Sequence, residues 1–88
     1  DITALNKTVA ELARPYKRIV ELGGGTGLFA VTRGSMGDCE IVCSEMDAEA
    51  SDWASTNRNL PNITYTTEFR PERLGHFDAV VSIEVIEH

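Results

Sequence analysis

Apolar side chains recur every three or four positions in the first part of the chain, at Ile2, Leu5, Val9 and Leu12. This spacing is typical of an amphipathic helix, and it predicts that these side chains form the buried face. Pro15 is expected to end the helix, because proline cannot donate the backbone hydrogen bond that would continue it.

Four short runs of apolar residues follow, and they predict strands at residues 17–22, 40–45, 63–67 and 77–83. Between them we expect a short helix at about 27–34 and a longer one that Asp47 caps and that runs to about Asn59. Residues 70–75 are predicted to be a loop, and residues 84–88 to begin another helix. Strands that alternate with helices predict an α/β protein with a parallel sheet. The last run is nearly all apolar, which is typical of a strand covered on both faces.

A cluster of glycines follows the first predicted strand, where residues 19–27 read Ile-Val-Glu-Leu-Gly-Gly-Gly-Thr-Gly. Gly23, Gly25 and Gly27 can adopt positive φ and allow a ligand to approach where a Cβ atom would clash. Such a turn lies at the carboxyl end of a strand, where α/β sheets bind nucleotide-like ligands. Glu21 lies just before the glycines, and a carboxylate at this position suits a cationic ligand better than a pyrophosphate.

The composition is that of an ordinary globular domain of 88 residues, with 42% hydrophobic and 25% charged residues. The formal net charge of −6 argues against nonspecific binding of a nucleic-acid backbone by this segment. No apolar run has the roughly 20 residues of a membrane span. Cys39 and Cys43 fit neither a disulfide framework nor a zinc site, so we expect a cytoplasmic protein.

Three further groups of residues accompany the glycine turn. Glu45 ends the second predicted strand and is followed by Met46, and Glu68-Phe69 follows the third strand. The fourth strand reads Phe-Asp-Ala-Val-Val-Ser and continues into Glu-Val-Ile-Glu-His at residues 84–88. Taken together, these features resemble the class I S-adenosylmethionine-dependent methyltransferases over essentially the whole chain. The resemblance implies S-adenosylmethionine as cofactor. It also implies a Rossmann-like three-layer αβα sandwich with a parallel sheet, part of a seven-stranded sheet. Four of those strands would be present here, in the order 3-2-1-4.

The resemblance also assigns roles to individual residues. Gly23, Gly25 and Gly27 would pass under the methionine part of the cofactor, with Glu21 at its amino end. Glu45 would accept hydrogen bonds from both ribose hydroxyls, which suits the two acceptor oxygens of a carboxylate. The remaining implied contacts are Met46 and Phe69 at the adenine ring, Glu68 at the adenine amine, and Ser82 and Ile83 near the reactive methyl group. Gly24 stands where the family often has Cys or Ala, and the glycine is expected only to loosen the loop.

The last five residues also permit a different interpretation. Glu84, Glu87 and His88 could ligate a hard divalent ion together with residues further along the chain, as in small-RNA 2′-O-methyltransferases. The same string resembles a segment of small-molecule methyltransferases that bind no metal, and we therefore predict no metal site. The methyl acceptor stays open between a small molecule and a macromolecule.

Two other function classes remain compatible with the sequence. Gly25, Gly27 and Ala30 also fit the G-x-G-x-x-A fingerprint of an NAD-dependent oxidoreductase, with Glu45 on the ribose. A noncatalytic nucleotide-fold module that acts through a partner is the third possibility.

The exposed apolar edge expected at residues 77–83 suggests that residues 1–88 are the N-terminal part of a larger methyltransferase domain. We expect this segment alone to be inactive and to associate through that edge. Trp53 is expected in the core and His76 on the surface.

Overall fold

The computed structural model describes residues 1–83, so the predicted helix start and metal candidates at 84–88 lie outside the described residues. Each strand and helix predicted before them is present. The helices are α1 (Ile2–Leu12), α2 (Leu28–Ser35) and α3 (Ala48–Asn57), and the strands are β1 (Arg18–Leu22), β2 (Glu40–Ser44), β3 (Ile63–Thr66) and β4 (Ala79–Val81). The predicted loop at 70–75 contains one 3-10 turn, Pro71–Arg73.

The four strands form one parallel sheet in the order β3-β2-β1-β4, which confirms the predicted Rossmann-like α/β fold and its strand order. β1 lies in the middle, between β2 and β4. Its Glu21 is in register with Cys43 of β2. Because the strands are parallel, the turns that leave β1, β2 and β3 all emerge at the same edge of the sheet.

One face of the sheet carries the main core. Ile19, Ile41 and Ile63 point to this face from neighbouring strands, and α1 and α2 cover them with Ala10, Ala13, Phe29 and Ala30. The buried face of α1 matches the prediction only in part. Val9 packs against the core as predicted, but Asn6, Ala10 and Ala13 are the buried residues and Leu12 is 72% exposed. The small alanine side chains let α1 pack closely against α2, so the apolar spacing identified the helix but not the side that packs.

The opposite face is covered, within residues 1–83, by the connection from β3 to β4. Arg18 points to this face, since side chains alternate along a strand. Its guanidinium donates to the carbonyl of Leu74 at 3.3 Å and lies 4.4 Å from the centre of the Phe77 ring. Ser44 lies on β2, which β1 separates from β4, and its hydroxyl donates to the carbonyl of Glu68 in the same connection. The described part of the second covering layer is therefore an extended connection.

β4 is shorter than predicted and less covered. Asp78 leaves the strand pattern because its carboxylate accepts hydrogen bonds from the backbone N–H groups of Lys17 and Arg18, both at 3.0 Å. Val80 is 61% exposed, so the expectation that this strand is covered on both faces is wrong for the described residues. The association expected through residues 77–83 stays a prediction.

α3 begins at the predicted cap, but the side chains that it buries are not the predicted ones. Asp47 caps it by accepting hydrogen bonds from the backbone N–H groups of Glu49 and Ala50. The buried residues of the helix are the small Ser51 and Ala54. Trp53 is 47% exposed, so its predicted place in the core is wrong, since only small side chains fit between α3 and the rest of the domain. His76 is exposed, as predicted.

An arginine that the sequence did not single out connects α1 to α2. Arg33 is 1% exposed, and its guanidinium donates to the carbonyl oxygens of Ala13, Arg14, Tyr16 and Gly37 at 2.9–3.3 Å. Three of these carbonyls follow the last turn of α1, and that of Ala13 also accepts from the N–H of Tyr16 at 3.0 Å. A single buried side chain near the end of α2 therefore donates hydrogen bonds to carbonyl groups at the end of α1.

Within residues 1–83, no helix has the length and apolar character that crossing a membrane requires.

Candidate functional site

The glycine turn links the carboxyl end of β1 to the start of α2. Gly23, Gly25 and Gly27 have φ values of 75°, 58° and 87°, which side chains rarely allow. The N–H groups of Gly23 and Gly24 both donate to the carbonyl of Ser44, at 2.8 and 3.2 Å. The turn is therefore fastened to the end of β2.

Gly24 has a different role from the one expected. A Cβ atom at this position would lie 2.2 Å from the Sγ of Cys43 and 2.8 Å from Oε1 of Glu21. These distances are too short for atoms that do not share a bond. Gly24 is thus required by close packing against β2, and the expectation that it only loosens the loop is wrong. Sequence spacing does not show this contact, because it depends on which side chain β2 places beneath the turn.

Gly27 is also in close contact with a neighbour. A Cβ atom here would lie 2.8 Å from the hydroxyl oxygen of Tyr65, which in turn donates to the carbonyl of Arg58 at 2.7 Å. Burial raises the pKa of Tyr65 to about 12, so the phenol keeps the proton that it donates. The start of α2 is thereby packed against β3 and the end of α3.

Glu45 joins the glycine turn to α3. One of its carboxylate oxygens accepts from the N–H of Gly25 and the other from the N–H of Asp47, each at 2.8 Å. The side chain is half-buried. Each carboxylate oxygen has two lone pairs, so both can still accept a hydrogen bond from a ligand. The carboxylate is therefore held in one orientation at the point where two loops meet.

Glu21 lies beneath the turn and is only 3% exposed. Its Oε1 is 3.7 Å from the Sγ of Cys43. Burial, together with the nearby charge of Glu45, raises the pKa of Glu21 to about 7. Burial also raises the pKa of the Cys43 thiol. Near neutral pH this acid exists in both protonation states, and a cationic ligand would favour the ionised one.

We expect Glu21 to make folding stability depend on pH. In the unfolded chain the carboxyl ionises near 4.5, whereas in the folded protein it keeps its proton up to about pH 7. Unfolding between these values releases a proton, so stability should fall as pH rises through this window, by up to about 3 kcal/mol. Urea unfolding at pH 5 and pH 8 measures the effect. Glu21→Gln should abolish this part of the pH dependence, and an unchanged dependence in that variant would exclude Glu21 as its source.

A cavity of about 320 Å³ opens beside the turn. Four of the predicted site residues line it: Glu21, Gly23, Gly25 and Ile83. Asn6 of α1 and Arg58 after α3 also line it, and the sequence did not single out either as a site residue. Asn6 interrupts the apolar pattern of the first helix, which was an available signal. For Arg58 no signal existed, because its position depends on how α3 packs.

The remaining predicted site residues lie at the same edge but outside this cavity. Met46 is 67% exposed next to Glu45, Phe69 is half-buried, and Ser82 is exposed just beyond β4. Glu68 accepts a hydrogen bond from the N–H of Arg70 at 3.1 Å and lies 3.9 Å from a guanidinium nitrogen of Arg73. The roles of these residues stay predictions. Among residues 1–83, His, Cys, Asp and Glu form no group of three that could hold a metal ion.

The parallel order 3-2-1-4, with a glycine turn after the central strand and an acid at the end of β2, is a Rossmann-like α/β arrangement. A solved structure supports this assignment. The putative RNA methyltransferase PH1948 from Pyrococcus horikoshii aligns with this chain with a TM-score of 0.74 and 23% sequence identity. The alignment covers 90% of this chain and 44% of the PH1948 chain. At that identity the likeness establishes the fold alone. The chain spans less than half the length of that protein.

Two other comparisons gave no match. No protein-family model matches the chain. No curated protein matches it either.

Proposed function

We propose that this chain is the cofactor-binding part of an S-adenosylmethionine-dependent methyltransferase. The observation that carries the proposal is the placement of Glu45 after β2, with its carboxylate fixed by the N–H groups of Gly25 and Asp47. A carboxylate held beside a glycine turn suits a ligand with two adjacent hydroxyls, such as a ribose. The class I methyltransferase-like fold agrees with this ligand.

The residues of the site would bind and orient the cofactor. Glu45 would hold the ribose, and the turn at residues 23–27 would allow the amino-acid part to lie close to the backbone. Met46 and Phe69 would contact the adenine ring, and Glu68 its amine. Ser82 and Ile83 would lie near the transferred group. When bound, the cofactor would supply an activated methyl group on a sulfonium.

Methyl transfer asks little of the protein beyond alignment of the acceptor atom, the methyl group and the leaving sulfur. A site that binds and orients, without a nucleophilic triad, agrees with that chemistry. The acceptor, small or macromolecular, would be recognised largely by parts of the protein outside this segment. Both cysteines are free thiols, which supports a cytoplasmic location as part of the proposal.

The proposal is tested by titrating the complete protein with S-adenosylhomocysteine in a calorimeter. Glu45→Ala removes the acceptor for the ribose and releases the N–H of Gly25, so we expect it to weaken binding by at least about 2 kcal/mol, or roughly 30-fold. Glu49→Ala removes the same charge from an exposed position in the first turn of α3 and should leave affinity unchanged within about threefold. Equal affinities of the Glu45 and Glu49 variants would contradict the assigned role.

A further inference from the structure

Arg58 holds the glycine turn from the side of α3. It is the residue at the C-terminal end of this helix, and its side chain is half-buried. Its Nη1 donates to the backbone carbonyl of Thr26 at 2.9 Å and to the hydroxyl of the same residue at 3.2 Å. Thr26 lies between the two glycines that complete the turn. Arg58 therefore reaches the part of the turn that lines the cavity.

The guanidinium of Arg58 is held between Thr26 and the ring of Trp53. It lies 5.1 Å from the centre of the Trp53 ring, a distance at which a cation is attracted by an aromatic face. The backbone carbonyl of Arg58 accepts the hydrogen bond from Tyr65. The exposed ring of Trp53 thus supports the arginine. A preorganised guanidinium loses less freedom when it binds a ligand.

The cavity is lined by one acidic and one basic side chain. Among the described residues that line it, Glu21 and Arg58 are the two that can ionise, and Glu21 is ionised only in part near neutral pH. Arg14, Lys17, Arg18 and Arg73 each lie within 4 Å of a carboxylate, whereas Arg58 has no such partner within residues 1–83. A guanidinium has five N–H donors, and the hydrogen bonds to Thr26 use Nη1 alone. Donors at Nε and Nη2 thus remain for an anion.

We propose that Arg58 binds the α-carboxylate of the amino-acid part of the ligand, while Glu21 faces its ammonium group. This inference rests on the proposed function, and it makes Arg58 a specificity-determining residue. A zwitterionic amino-acid group matches the two charges of the cavity, whereas a nucleoside without that group leaves both unmatched. The site would therefore select nucleosides that carry an α-amino acid over those that do not.

The test compares two ligands that differ only in the carboxylate: S-adenosylhomocysteine and its decarboxylated analogue. Calorimetric titrations of the complete protein would be made with the natural sequence, Arg58→Met and Arg58→Lys. A charge-assisted hydrogen bond of this kind is worth about 10-fold to 100-fold in affinity. We expect Arg58→Met to weaken S-adenosylhomocysteine by that factor more than it weakens the analogue, because both ligands lose the support of Thr26 but only one loses the carboxylate contact. Arg58→Lys keeps the charge but not the planar fork, and its loss should be intermediate.

The outcomes separate this inference from the function on which it rests. Arg14→Met, which breaks an exposed pair with Glu11, is the control for replacing arginine and should bind both ligands normally. If Arg58→Met weakened both ligands equally, Arg58 would only hold the turn, and the inference would be overturned while the proposed function stood. The Lys variant gives the same reading if the Met variant does not fold, since equal losses would again overturn it. If the natural protein bound neither ligand, the proposed function and this inference would both fail.

Discussion

Gly24→Ala should destabilise the protein by about 2–4 kcal/mol, although alanine is otherwise the mildest replacement for a glycine of ordinary φ. The new methyl group would lie 2.2 Å from the Sγ of Cys43 in β2, so the turn or the central strands would have to move. Because Cys43 is 1% exposed, moving its sulfur atom would disturb the packed core around it. Denaturant unfolding of the variant measures the loss.

A double-mutant cycle identifies the cause. Cys43→Ala removes the sulfur atom that the new methyl group would meet, so Gly24→Ala should cost at least about 1.5 kcal/mol less in that background. Gly23→Ala is the matched control, because a Cβ at Gly23 meets no atom within 4 Å. Its cost should be about 1 kcal/mol, from the positive φ alone, and Cys43→Ala should not reduce it. Strictly additive effects of the Gly24 and Cys43 substitutions would show that the two residues are not in contact.

Arg33→Met should cost about 3 kcal/mol or more, because it removes the donor shared by four backbone carbonyls at the ends of α1 and α2. The methionine side chain can fill much of the space that the arginine stem leaves. The loss should therefore come from the hydrogen bonds and not from a cavity. Urea midpoints of the natural protein and the variant measure it.

Two further variants test that explanation. Arg33→Lys keeps the charge near the helix ends but has three donors instead of five, so it should recover only part of the loss. Arg14→Met, on the exposed surface, should stay within about 0.5 kcal/mol of the natural protein. A cost for Arg33→Met as small as that of Arg14→Met would contradict the bridging role of Arg33.

The architecture was predictable because it follows from local patterns. Short apolar runs separated by helical segments define parallel strands, and the bunched glycines after the first run define where the chain turns over the sheet edge. Asp47 was readable as a helix cap from its own residue type and position. The packed side of α1 was readable only in part, because the alanines that are buried in the core are less hydrophobic than the leucines that face water.

The sequence likewise identified some features of the candidate site and missed others. Glu45 was identified through the resemblance to the class I methyltransferases, and the structure places its carboxylate against the N–H of Gly25. The clash that would follow from a side chain at Gly24, and the contact of Arg58 with Thr26, were not identified. Both depend on residues from different elements, 19 and 32 positions apart in the chain, and no sequence period connects them.

Paired titrations of the complete protein with S-adenosylhomocysteine and with NAD, in the same buffer, test the cofactor assignment most directly. We expect S-adenosylhomocysteine to bind and NAD to bind at least about 10-fold more weakly, because Glu21 beneath the turn disfavours a pyrophosphate. Tighter binding of NAD than of S-adenosylhomocysteine would contradict the assignment and favour an oxidoreductase.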